Sequence, residues 1–451
     1  MFRKVAGLCF LLGIIISGWF LYRQNQVPEV SIQKPHILLI LMDTLRADHL
    51  GCYGYSRDTS PNIDAMARSG IFFKNAYTVS PWTNPTIASL FTGQFPQAIF
   101  PPAIHKEAIT QVLPKELNTA AELLKSNGYK TIALIDHPGI SPELQYDQGF
   151  DVFVELFEKG NFGRWGRTDI DYVMKEFNEQ MEAAGGKRVF LYLHLVYPHM
   201  PYKPAPPYDT MFGTGFQQLL KKERQGIINM YDGEIRQTDE IIGKINEQLR
   251  RKNLIDETYV LVTSDHGEAF WEHRRFGHGN SYFDEVLKIA LVIGVPQSAG
   301  KPIQISEPVS NIDIFPTILQ LGSVDLPHGT PGKSLLRYAM THFSRSEPEF
   351  LFSESTSSKD IYAAACLKQN RKYIYEPNLR DVQHHVYDLS VDPNEMRNLA
   401  ADMSTYSVLQ KRLLQHLREN EDRRSRLQLK TVEPDDETKE RLRALGYIDE
   451  N

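Results

Sequence analysis

The segment from Ser80 to Gly93 places a hydroxyl side chain at the junction between a loop and a helix. Its sequence is SPWTNPTIASLFTG, and Thr83 is the candidate nucleophile. Pro85 suits the first turn of the helix, where its missing N–H costs nothing, and the free amides of that turn can face an anion. A threonine hydroxyl is inert at neutral pH, so a base or a metal ion has to activate it. The segment therefore predicts attack on a tetrahedral oxyanion ester.

Acidic and imidazole side chains follow two apolar runs that are typical of buried strands. Asp43 comes directly after the run 36–42, and Asp265 and His266 follow a second run. Taken alone, an aspartate after a strand is more often a helix cap or a turn residue. Because the carboxyl ends of parallel strands meet at one edge of a sheet, however, these side chains can converge in one crevice. With the Thr83 hydroxyl they suit one divalent ion, such as Mn²⁺, Zn²⁺, Mg²⁺ or Ca²⁺, which would lower the pKa of that hydroxyl.

The elements that must position these groups alternate between strand and helix patterns. Predicted strands are the apolar runs 36–42, 130–135, 189–196, 259–263 and 287–293. Helical spacing joins Leu117, Ala120, Ala121 and Leu124 within 113–127, and Ile235, Ile242, Ile245 and Leu249 within 228–250. This alternation predicts an α/β fold, a three-layer αβα sandwich around a large, mostly parallel sheet. Its ligand site is expected at the carboxyl ends of the strands.

The length and the charge of the chain restrict its domain organisation and its expected partners. With 451 residues, 41% of them apolar, the chain can bury a large core as one big domain or as one domain plus a smaller one. The formal net charge is −6, with acidic and basic residues mixed along the chain. A nucleic-acid-binding protein should instead show a concentrated basic face. The expected partners are therefore small or membrane-borne molecules and not nucleic acid, and the oligomeric state stays open.

The first 24 residues predict a membrane anchor. Arg3 and Lys4 precede the uncharged run 5–22, which as a helix would reach about 27 Å. A cleaved signal peptide is the alternative, although no good small-x-small cleavage site follows the run. By the positive-inside rule the amino terminus lies in the cytoplasm, so the catalytic part is expected to face the periplasm or the cell exterior.

Seven ordered motifs resemble the sulfatases of the alkaline phosphatase superfamily, and the resemblance runs from about residue 35 to the carboxyl terminus. The motifs are Asp43–Tyr55 with Ser60–Asp64, Thr83–Pro96, His194–Tyr202, Ser264–Glu268, His278–Gly279, Asp313–Thr317, and Tyr387–Leu389 with Asp392–Pro393 and Asn398–Leu399. The resemblance implies a catalytic domain over residues 35–322. It also implies a small carboxyl-terminal α+β subdomain over 340–451, with an antiparallel sheet and a helix over 407–424. Patterns at 361–367 and 372–375 predict two strands of that sheet.

The resemblance also implies a set of site residues. The implied metal ligands are Asp43, Thr83, Asp265 and His266, and the implied substrate-facing residues are His194, His199 and His278. His278 would either protonate the leaving group or bind a second ion, and one ion is the expected number. A structural role remains the alternative for each histidine, most of all for His194.

Three further residues keep both a functional and a structural interpretation. His137 follows the strand 130–135 and is either a pocket residue or part of a turn. Asp239 is interpreted as a carboxylate on the face of a helix, although members of the family carry an acid there. Arg46 either contacts the substrate or pairs with Asp48 or a helix end.

Departures from the sulfatase pattern bear on the reaction. Sulfatases carry Cys-x-Pro-x-Arg, whose cysteine is oxidised to formylglycine, where this chain has TNPTI at 83–87. Thr44 also replaces the usual second aspartate beside Asp43. A formylglycine hydrate expels sulfate by elimination, whereas a threonine ester has to be attacked again at its central atom, which phosphorus tolerates well. These differences put sulfate-ester hydrolysis in doubt.

The expected activity is therefore that of a metal-dependent hydrolase or transferase acting on phosphate mono- or diesters, with Thr83 as nucleophile. Thr83 resembles the nucleophile of the superfamily's nucleotide pyrophosphatases, phosphodiesterases and membrane-anchored phosphoglycerol or phosphoethanolamine transferases. An anchor beside the bilayer favours a lipid-derived, envelope or extracellular substrate. The alternatives are a sulfuric ester hydrolase similar to the arylsulfatases and a catalytically inactive envelope binding module.

Overall fold

The computed structural model describes most of the chain. The described residues are 34–104, 110–159, 169–213, 223–297, 301–339, 349–355, 357–358, 363–377, 382–400 and 403–444. The run 5–22, on which the anchor prediction depends, lies outside these ranges. Within them, no helix combines the length and the apolar character that a bilayer crossing requires.

Nineteen strands form the sheets of the described part of the chain. They are β1 (His36–Met42), β2 (Ile71–Phe73), β3 (Ala76–Tyr77), β4 (Ala103–Ile104), β5 (Lys130–Ile135), β6 (Val152–Glu155), β7 (Val189–Leu195), β8 (Thr258–Thr263), β9 (Ala269–Phe270), β10 (Phe276–Gly277), β11 (Lys288–Ile289), β12 (Leu291–Gly294), β13 (Ile303–Ile305), β14 (Val309–Ser310), β15 (Phe350–Glu354), β16 (Ser357–Ser358), β17 (Ala364–Lys368), β18 (Arg371–Pro377) and β19 (Val382–Asp388). Eight of them build the main sheet, in the order β13-β2-β12-β8-β1-β7-β5-β6. All neighbours in it pair parallel except β12, which runs antiparallel to both β2 and β8. The predicted α/β class, with a large and mostly parallel sheet, is confirmed.

Helices cover both faces of this sheet. The α-helices of the described residues are α1 (Pro61–Ser69), α2 (Thr83–Thr92), α3 (Pro96–Ile99), α4 (Ala120–Ser126), α5 (Leu156–Lys159), α6 (Ile170–Ala183), α7 (Tyr208–Met211), α8 (Arg224–Arg251), α9 (Asp284–Leu287), α10 (Ile314–Leu321), α11 (Met403–Arg424) and α12 (Asp436–Ala444). Strand β1 explains the layering, because its side chains alternate between two separate apolar clusters. Ile37 and Leu39 pack with residues of α2, whereas Leu38 and Ile40 pack with residues of α8. A strand buried on both faces has to be apolar at every position, as β1 is.

Three element boundaries differ from the sequence-based predictions. The helix predicted over 113–127 begins only at Ala120, because Thr119 caps it: the Thr119 Oγ1 accepts from the Glu122 amide, and the Glu122 carboxylate accepts from the Thr119 amide. The helix predicted over 228–250 starts earlier, at Arg224. The strand predicted over 287–293 is divided between the end of α9, the short β11 and the antiparallel β12.

A second sheet lies in the carboxyl-terminal part of the chain. It is antiparallel, with the order β15-β17-β18-β19, and β17 and β18 occupy the region of the predicted hairpin. Phe352, Cys366 and Tyr373 of this sheet form one apolar cluster with Leu409 and Leu413 of helix α11. The apolar core of the smaller carboxyl-terminal unit is therefore shared with the preceding part of the chain, since Val79, Phe95 and Ile312 belong to the same cluster.

Candidate active site

The central strands of the main sheet deliver two carboxylates and an imidazole to one place. Asp43 follows β1, and Asp265 and His266 follow β8, the neighbour of β1. The Asp265 Oδ1 accepts hydrogen bonds from the amides of Thr44, at 3.1 Å, and His266, at 2.8 Å, and thereby ties the two strand ends together. Ligand atoms of Asp43, Asp265 and His266 all lie within 4.8 Å of one another, and all three residues are fully buried.

Thr83 meets this cluster at the first residue of helix α2. Trp82 before it is extended, and the Thr83 Oγ1 lies 3.2 Å from the His266 Nε2. Pro85 is the third residue of the helix, so its missing N–H falls among the amides that a first turn leaves without intrahelical partners. All ten residues of α2 are buried, which fixes the helix start against the strand ends.

The donor set fits a divalent cation. The His266 Nδ1 lies 2.9 Å from the Gly267 carbonyl oxygen and donates its proton there, so the Nε2 carries a lone pair. That lone pair faces the Asp265 Oδ2 at 3.3 Å, and the Oδ2 has no hydrogen-bond partner among the described residues. Two electron-rich atoms in such contact require a cation between them, either a second proton on His266 or a metal ion. Carboxylate oxygens with one imidazole suit Zn²⁺ and Mn²⁺.

Electrostatics keep the Asp265 carboxylate charged. Burial by itself would raise the pKa of Asp265, but the nearby imidazoles of His266 and His194 and the two amide hydrogen bonds lower it below the ordinary value. A buried carboxylate with a depressed pKa is an anion at neutral pH, which is the state that a metal ligand requires.

Two further histidines present a nitrogen to the same cluster of side chains. His199 donates from Nδ1 to the Met200 carbonyl at 2.6 Å, which leaves its Nε2 as an acceptor. His194 contacts the Tyr192 hydroxyl through Nδ1 at 2.9 Å, and its Nε2 lies 3.7 Å from the Asp43 Oδ2. Burial lowers the pKa of His194 to about 4 and that of His199 to about 3, so both rings are neutral at pH 7.

His278 is a further imidazole of this cluster, beside His266 and His199. Its ring centroid lies 4.4 Å from that of His266 and 4.9 Å from that of His199. Its side chain is 12% exposed, whereas those of His194, His199 and His266 are fully buried. The residue after it, Gly279, donates its amide to the Pro81 carbonyl at 2.8 Å and so ties His278 to the segment before Thr83.

His137 also belongs to this cluster, although the sequence left it open between a pocket and a turn. It is fully buried, and its Nε2 lies 3.7 Å from the Asp43 Oδ2. The Gly139 amide donates to its Nδ1 at 3.0 Å, so the neutral ring carries its proton on Nε2 and points it into the site. Burial and the other imidazoles hold the pKa of His137 well below its usual value. The sequence did give one signal for His137: it follows the carboxyl end of β5, and the carboxyl ends of the parallel strands lie at one edge of the main sheet.

Glu268 was not singled out from the sequence. Its carboxylate lies behind His278, with 3.0 Å between the Glu268 Oε1 and the His278 Nδ1. Burial raises the pKa of Glu268, and the nearby imidazoles of His199 and His266 and the Tyr202 hydroxyl oppose that shift. Its distance along the chain from Tyr202 and His278 gives no sign of this contact before the chain is folded.

Two of the residues with open interpretations lie outside the cluster. Asp239 is a buried helix cap rather than a carboxylate on a helix face. It accepts from the amides of Asn62 and Ile63, at 3.0 and 2.8 Å, at the start of α1, and burial raises its pKa to about 6. Arg46 pairs with Asp48 at 2.7 Å and Glu272 at 3.1 Å, in agreement with the structural interpretation.

Comparison with known families agrees with this arrangement. Residues 35–324 match the family described as Sulfatase, and residues 267–423 match the family described as N-sulphoglucosamine sulphohydrolase, C-terminal. An uncharacterized sulfatase of Escherichia coli K12, YidJ, is 26% identical over 84% of this chain and 86% of its own length. Human arylsulfatase K is 26% identical over 84% of this chain and 82% of its own length.

Solved structures share the fold. One is a protein in complex with its substrate D-glucosamine-2-N,6-O-disulfate, with a TM-score of 0.72, 19% identity, and coverage of 87% of this chain and 98% of the other. Another is the phosphonate monoester hydrolase of Agrobacterium radiobacter, with a TM-score of 0.66, 19% identity, and coverage of 88% and 97%. The family match spans more than half of the residues, and its boundaries contain every residue of the imidazole and carboxylate cluster. The chain therefore belongs to the sulfatase family and is a sulfatase-like ester hydrolase.

Proposed function

We propose that the protein is a metal-dependent hydrolase or transferase of phosphate mono- or diesters that uses Thr83 as its nucleophile. The observation that carries this proposal is the position of the Thr83 Oγ1, 3.2 Å from the His266 Nε2 and beside two buried carboxylates. An ion held by Asp43, Thr83, Asp265 and His266 would supply a lowered hydroxyl pKa and neutralise charge on the ester.

In the first step, the Thr83 hydroxyl releases its proton to solvent, and its Oγ1 attacks phosphorus while the bond from phosphorus to the leaving oxygen breaks. His278, with a proton on each ring nitrogen at this stage, protonates the leaving oxygen, since it is the partly exposed imidazole of the cluster. The proton on the Nε2 of His137 can be donated to a phosphate oxygen. The product of this step is an alcohol and a phosphoryl group bonded to Thr83.

In the second step, water or an acceptor alcohol attacks the same phosphorus and the bond to the Thr83 Oγ1 breaks. The neutral His278 now accepts the proton of the attacking oxygen, and Thr83 takes a proton back from solvent, so the site returns to its starting state. Water makes the enzyme a hydrolase and an alcohol makes it a transferase. In-line positioning and neutralisation of charge supply most of the rate enhancement in such phosphoryl transfers.

Sulfate-ester hydrolysis is the second candidate. The relatives named above are sulfatases, and the neighbour with the higher TM-score is a complex with a sulfated glucosamine. Against this, position 83 holds a threonine, which cannot become formylglycine, and position 87 holds an isoleucine where sulfatases have arginine. The phosphonate monoester hydrolase neighbour supports phosphorus chemistry on the same fold.

Turnover of two chromogenic esters tests the proposal. We expect the full-length protein with Mn²⁺ or Zn²⁺ to hydrolyse bis-p-nitrophenyl phosphate, Thr83→Ala to lose at least about 10³-fold in kcat, and Thr83→Ser to keep most of the activity. A mass gain of one substituted phosphoryl group on Thr83 would identify the intermediate. Turnover of p-nitrophenyl sulfate alone, lost in Thr83→Ala, would establish the second candidate. Lack of turnover of both esters together with lack of bound metal would instead indicate a binding module.

We also propose that the run 5–22 holds the enzyme at the membrane, with the catalytic part outside the cytoplasm and a lipid- or envelope-derived ester as substrate. The support is the sequence alone, through the basic flank of an uncharged run. Carbonate extraction of membranes should leave the protein in the pellet, and protease added to the outside should degrade it. Release into the soluble fraction as a chain that lacks the first 24 residues would indicate a cleaved signal peptide.

A further inference from the structure

Glu268 is a buried carboxylate whose two oxygens have separate partners. The Oε1 lies 3.0 Å from the His278 Nδ1, and the Oε2 accepts from the Tyr202 hydroxyl at 2.9 Å. The residue is 1% exposed. Its amide donates to the Glu285 carbonyl and its carbonyl accepts from the Arg46 guanidinium, at 3.1 and 2.9 Å, so its backbone is also held on both sides.

These partners determine how the imidazole of His278 is placed. The ring nitrogen that contacts Glu268 is Nδ1, so the Nε2 lies on the opposite edge of the ring. On the other sides the ring is flanked by the imidazoles of His266 and His199. Isolated histidine prefers to carry its proton on Nε2, whereas a carboxylate acceptor beside Nδ1 selects the opposite tautomer.

Glu268 is not arranged as a metal ligand. Among the described residues, the group of acidic and imidazole side chains close enough to hold one ion comprises Asp43, Asp265 and His266. Both oxygens of Glu268 are engaged by His278 and Tyr202 instead. The remaining alternatives are that Glu268 positions His278 or that it only stabilises the fold.

We infer that Glu268 is a positioning residue that fixes the tautomer and orientation of His278, so that its Nε2 faces the ester, with Tyr202 holding the carboxylate in place. This inference rests on the proposed function only for the role of His278 in the reaction. Without Glu268 the ring can rotate and carry its proton on Nε2, and it then cannot accept a proton from the attacking water or alcohol. Histidines oriented by a carboxylate in this manner are a recurrent feature of catalytic sites.

The tautomer can be measured without any turnover. In the full-length protein labelled with ¹⁵N-histidine, with His278→Gln used to assign the signal, we expect His278 to carry its proton on Nδ1 at pH 8. In Glu268→Met, which keeps the side-chain length and removes the acceptor, the population should shift toward the Nε2–H form. A native His278 with its proton on Nε2 would overturn the inference, as would a signal unchanged in Glu268→Met.

Kinetics separate positioning from a structural role. We expect Glu268→Met to lower kcat for bis-p-nitrophenyl phosphate by about 10–100-fold with little change in KM, and Glu268→Gln, which keeps an acceptor oxygen, to recover part of the loss. In a His278→Gln background, Glu268→Met should lower kcat by less than about 3-fold, because the imidazole that Glu268 positions is already gone. An undiminished penalty in that background would show a structural role, and loss of bound metal in Glu268→Met would show a metal ligand. If the native protein hydrolyses neither ester, the proposed function fails while the tautomer measurement still decides the placement of His278.

Discussion

At the scale of single residues, the atoms next to each imidazole decide what that imidazole can do. His266 and His199 each give the Nδ1 proton to a backbone carbonyl and keep a lone pair on Nε2. His137 does the reverse, because the Gly139 amide occupies its Nδ1. One side-chain type therefore supplies a candidate metal ligand, an acceptor and a donor within a single cavity.

The first prediction concerns metal removal. Chelation should lower the stability of the native protein, since Asp43 and Asp265 would be left as buried anions, and adding Mn²⁺ or Zn²⁺ at 100 times its Kd should restore about 2.7 kcal/mol. Thermal unfolding with and without metal measures this. Asp265→Asn should lose the response. Asp313→Asn, which alters a buried acid outside the cluster, should keep it.

A second prediction concerns acid stability and His36, which lies away from the candidate site. Its Nδ1 accepts from the Val189 amide at 3.2 Å, and burial, followed by the charge of Arg188, lowers its pKa to about 4. The unfolded chain, with a histidine pKa near 6.5, therefore binds more protons than the folded one between pH 6.5 and 4. The stabilisation is complete above pH 6.5 and is lost as the pH falls through 4.

His36→Asn isolates this contribution, because the amide oxygen can replace Nδ1 as acceptor and does not titrate. Between pH 7 and pH 5, urea unfolding should show a loss of stability about 1–2 kcal/mol smaller in His36→Asn than in the native protein. Equal losses would mean that His36 is already protonated in the fold or already neutral in the unfolded chain.

At the scale of elements, short strand pairings position the side chains of the candidate site. The hairpin of β9 and β10 pairs Ala269 with Gly277, which brings Glu268 and His278 face to face across the two strands. Helix α2 is oriented by its start, where Trp82 is extended, and by its fully buried surface. The chemistry therefore depends on where strands and helices end more than on their interiors.

The third prediction tests the start of helix α4. Thr119→Ala removes the oxygen that accepts from the Glu122 amide and should cost about 1 kcal/mol of unfolding free energy. Thr119→Ser keeps the capping oxygen and should cost much less. Urea denaturation of the three proteins measures the difference. A Ser variant as unstable as the Ala variant would mean that the methyl group, and not the cap, is responsible.

At the scale of the whole molecule, one buried lysine joins the carboxyl-terminal sheet to helix α9. Lys372, on β18 of the carboxyl-terminal sheet, lies 2.8 Å from the Asp284 carboxylate of helix α9 and 2.8 Å from the Glu395 carboxylate, and its side chain is 1% exposed. Burial would lower the pKa of Lys372, but the two carboxylates raise it, so the lysine is charged. A charged bridge between the carboxyl-terminal sheet and the sulfatase fold results.

The fourth prediction follows from this bridge. Lys372→Met leaves the buried Glu395 carboxylate and the half-buried Asp284 carboxylate without their cation, and it should destabilise the protein by about 3–5 kcal/mol in chemical denaturation. Lys411→Met, on the exposed face of helix α11, is the control and should change stability by less than about 0.5 kcal/mol. A small effect of Lys372→Met would mean that both carboxylates take up protons or water without cost.

The sequence by itself determined the class of fold and the edge of the sheet where chemistry belongs. Uninterrupted apolar runs such as 36–42 are typical of strands covered on both faces, and the acidic residues that follow two of these runs, Asp43 and Asp265, are expected together at the carboxyl edge. The order of the motifs identified the sulfatase family. The assignment of Thr83 as nucleophile and of the four metal ligands remains a prediction that the proposed assays test.

Only the tertiary structure decided which other side chains surround the candidate site at that edge of the sheet. The sequence marked His137 only by its place after β5, and it marked Glu268 and Tyr202 only by their places in family motifs; none of these positions shows which side chain the residue contacts. The cap that Asp239 provides for α1 was not visible in the sequence either, since its partner Asn62 is 177 residues away. Periodicity reports which face of an element is buried. The nitrogen that carries a proton, and the carboxylate that faces it, depend on distances between elements that exist only after the chain has folded.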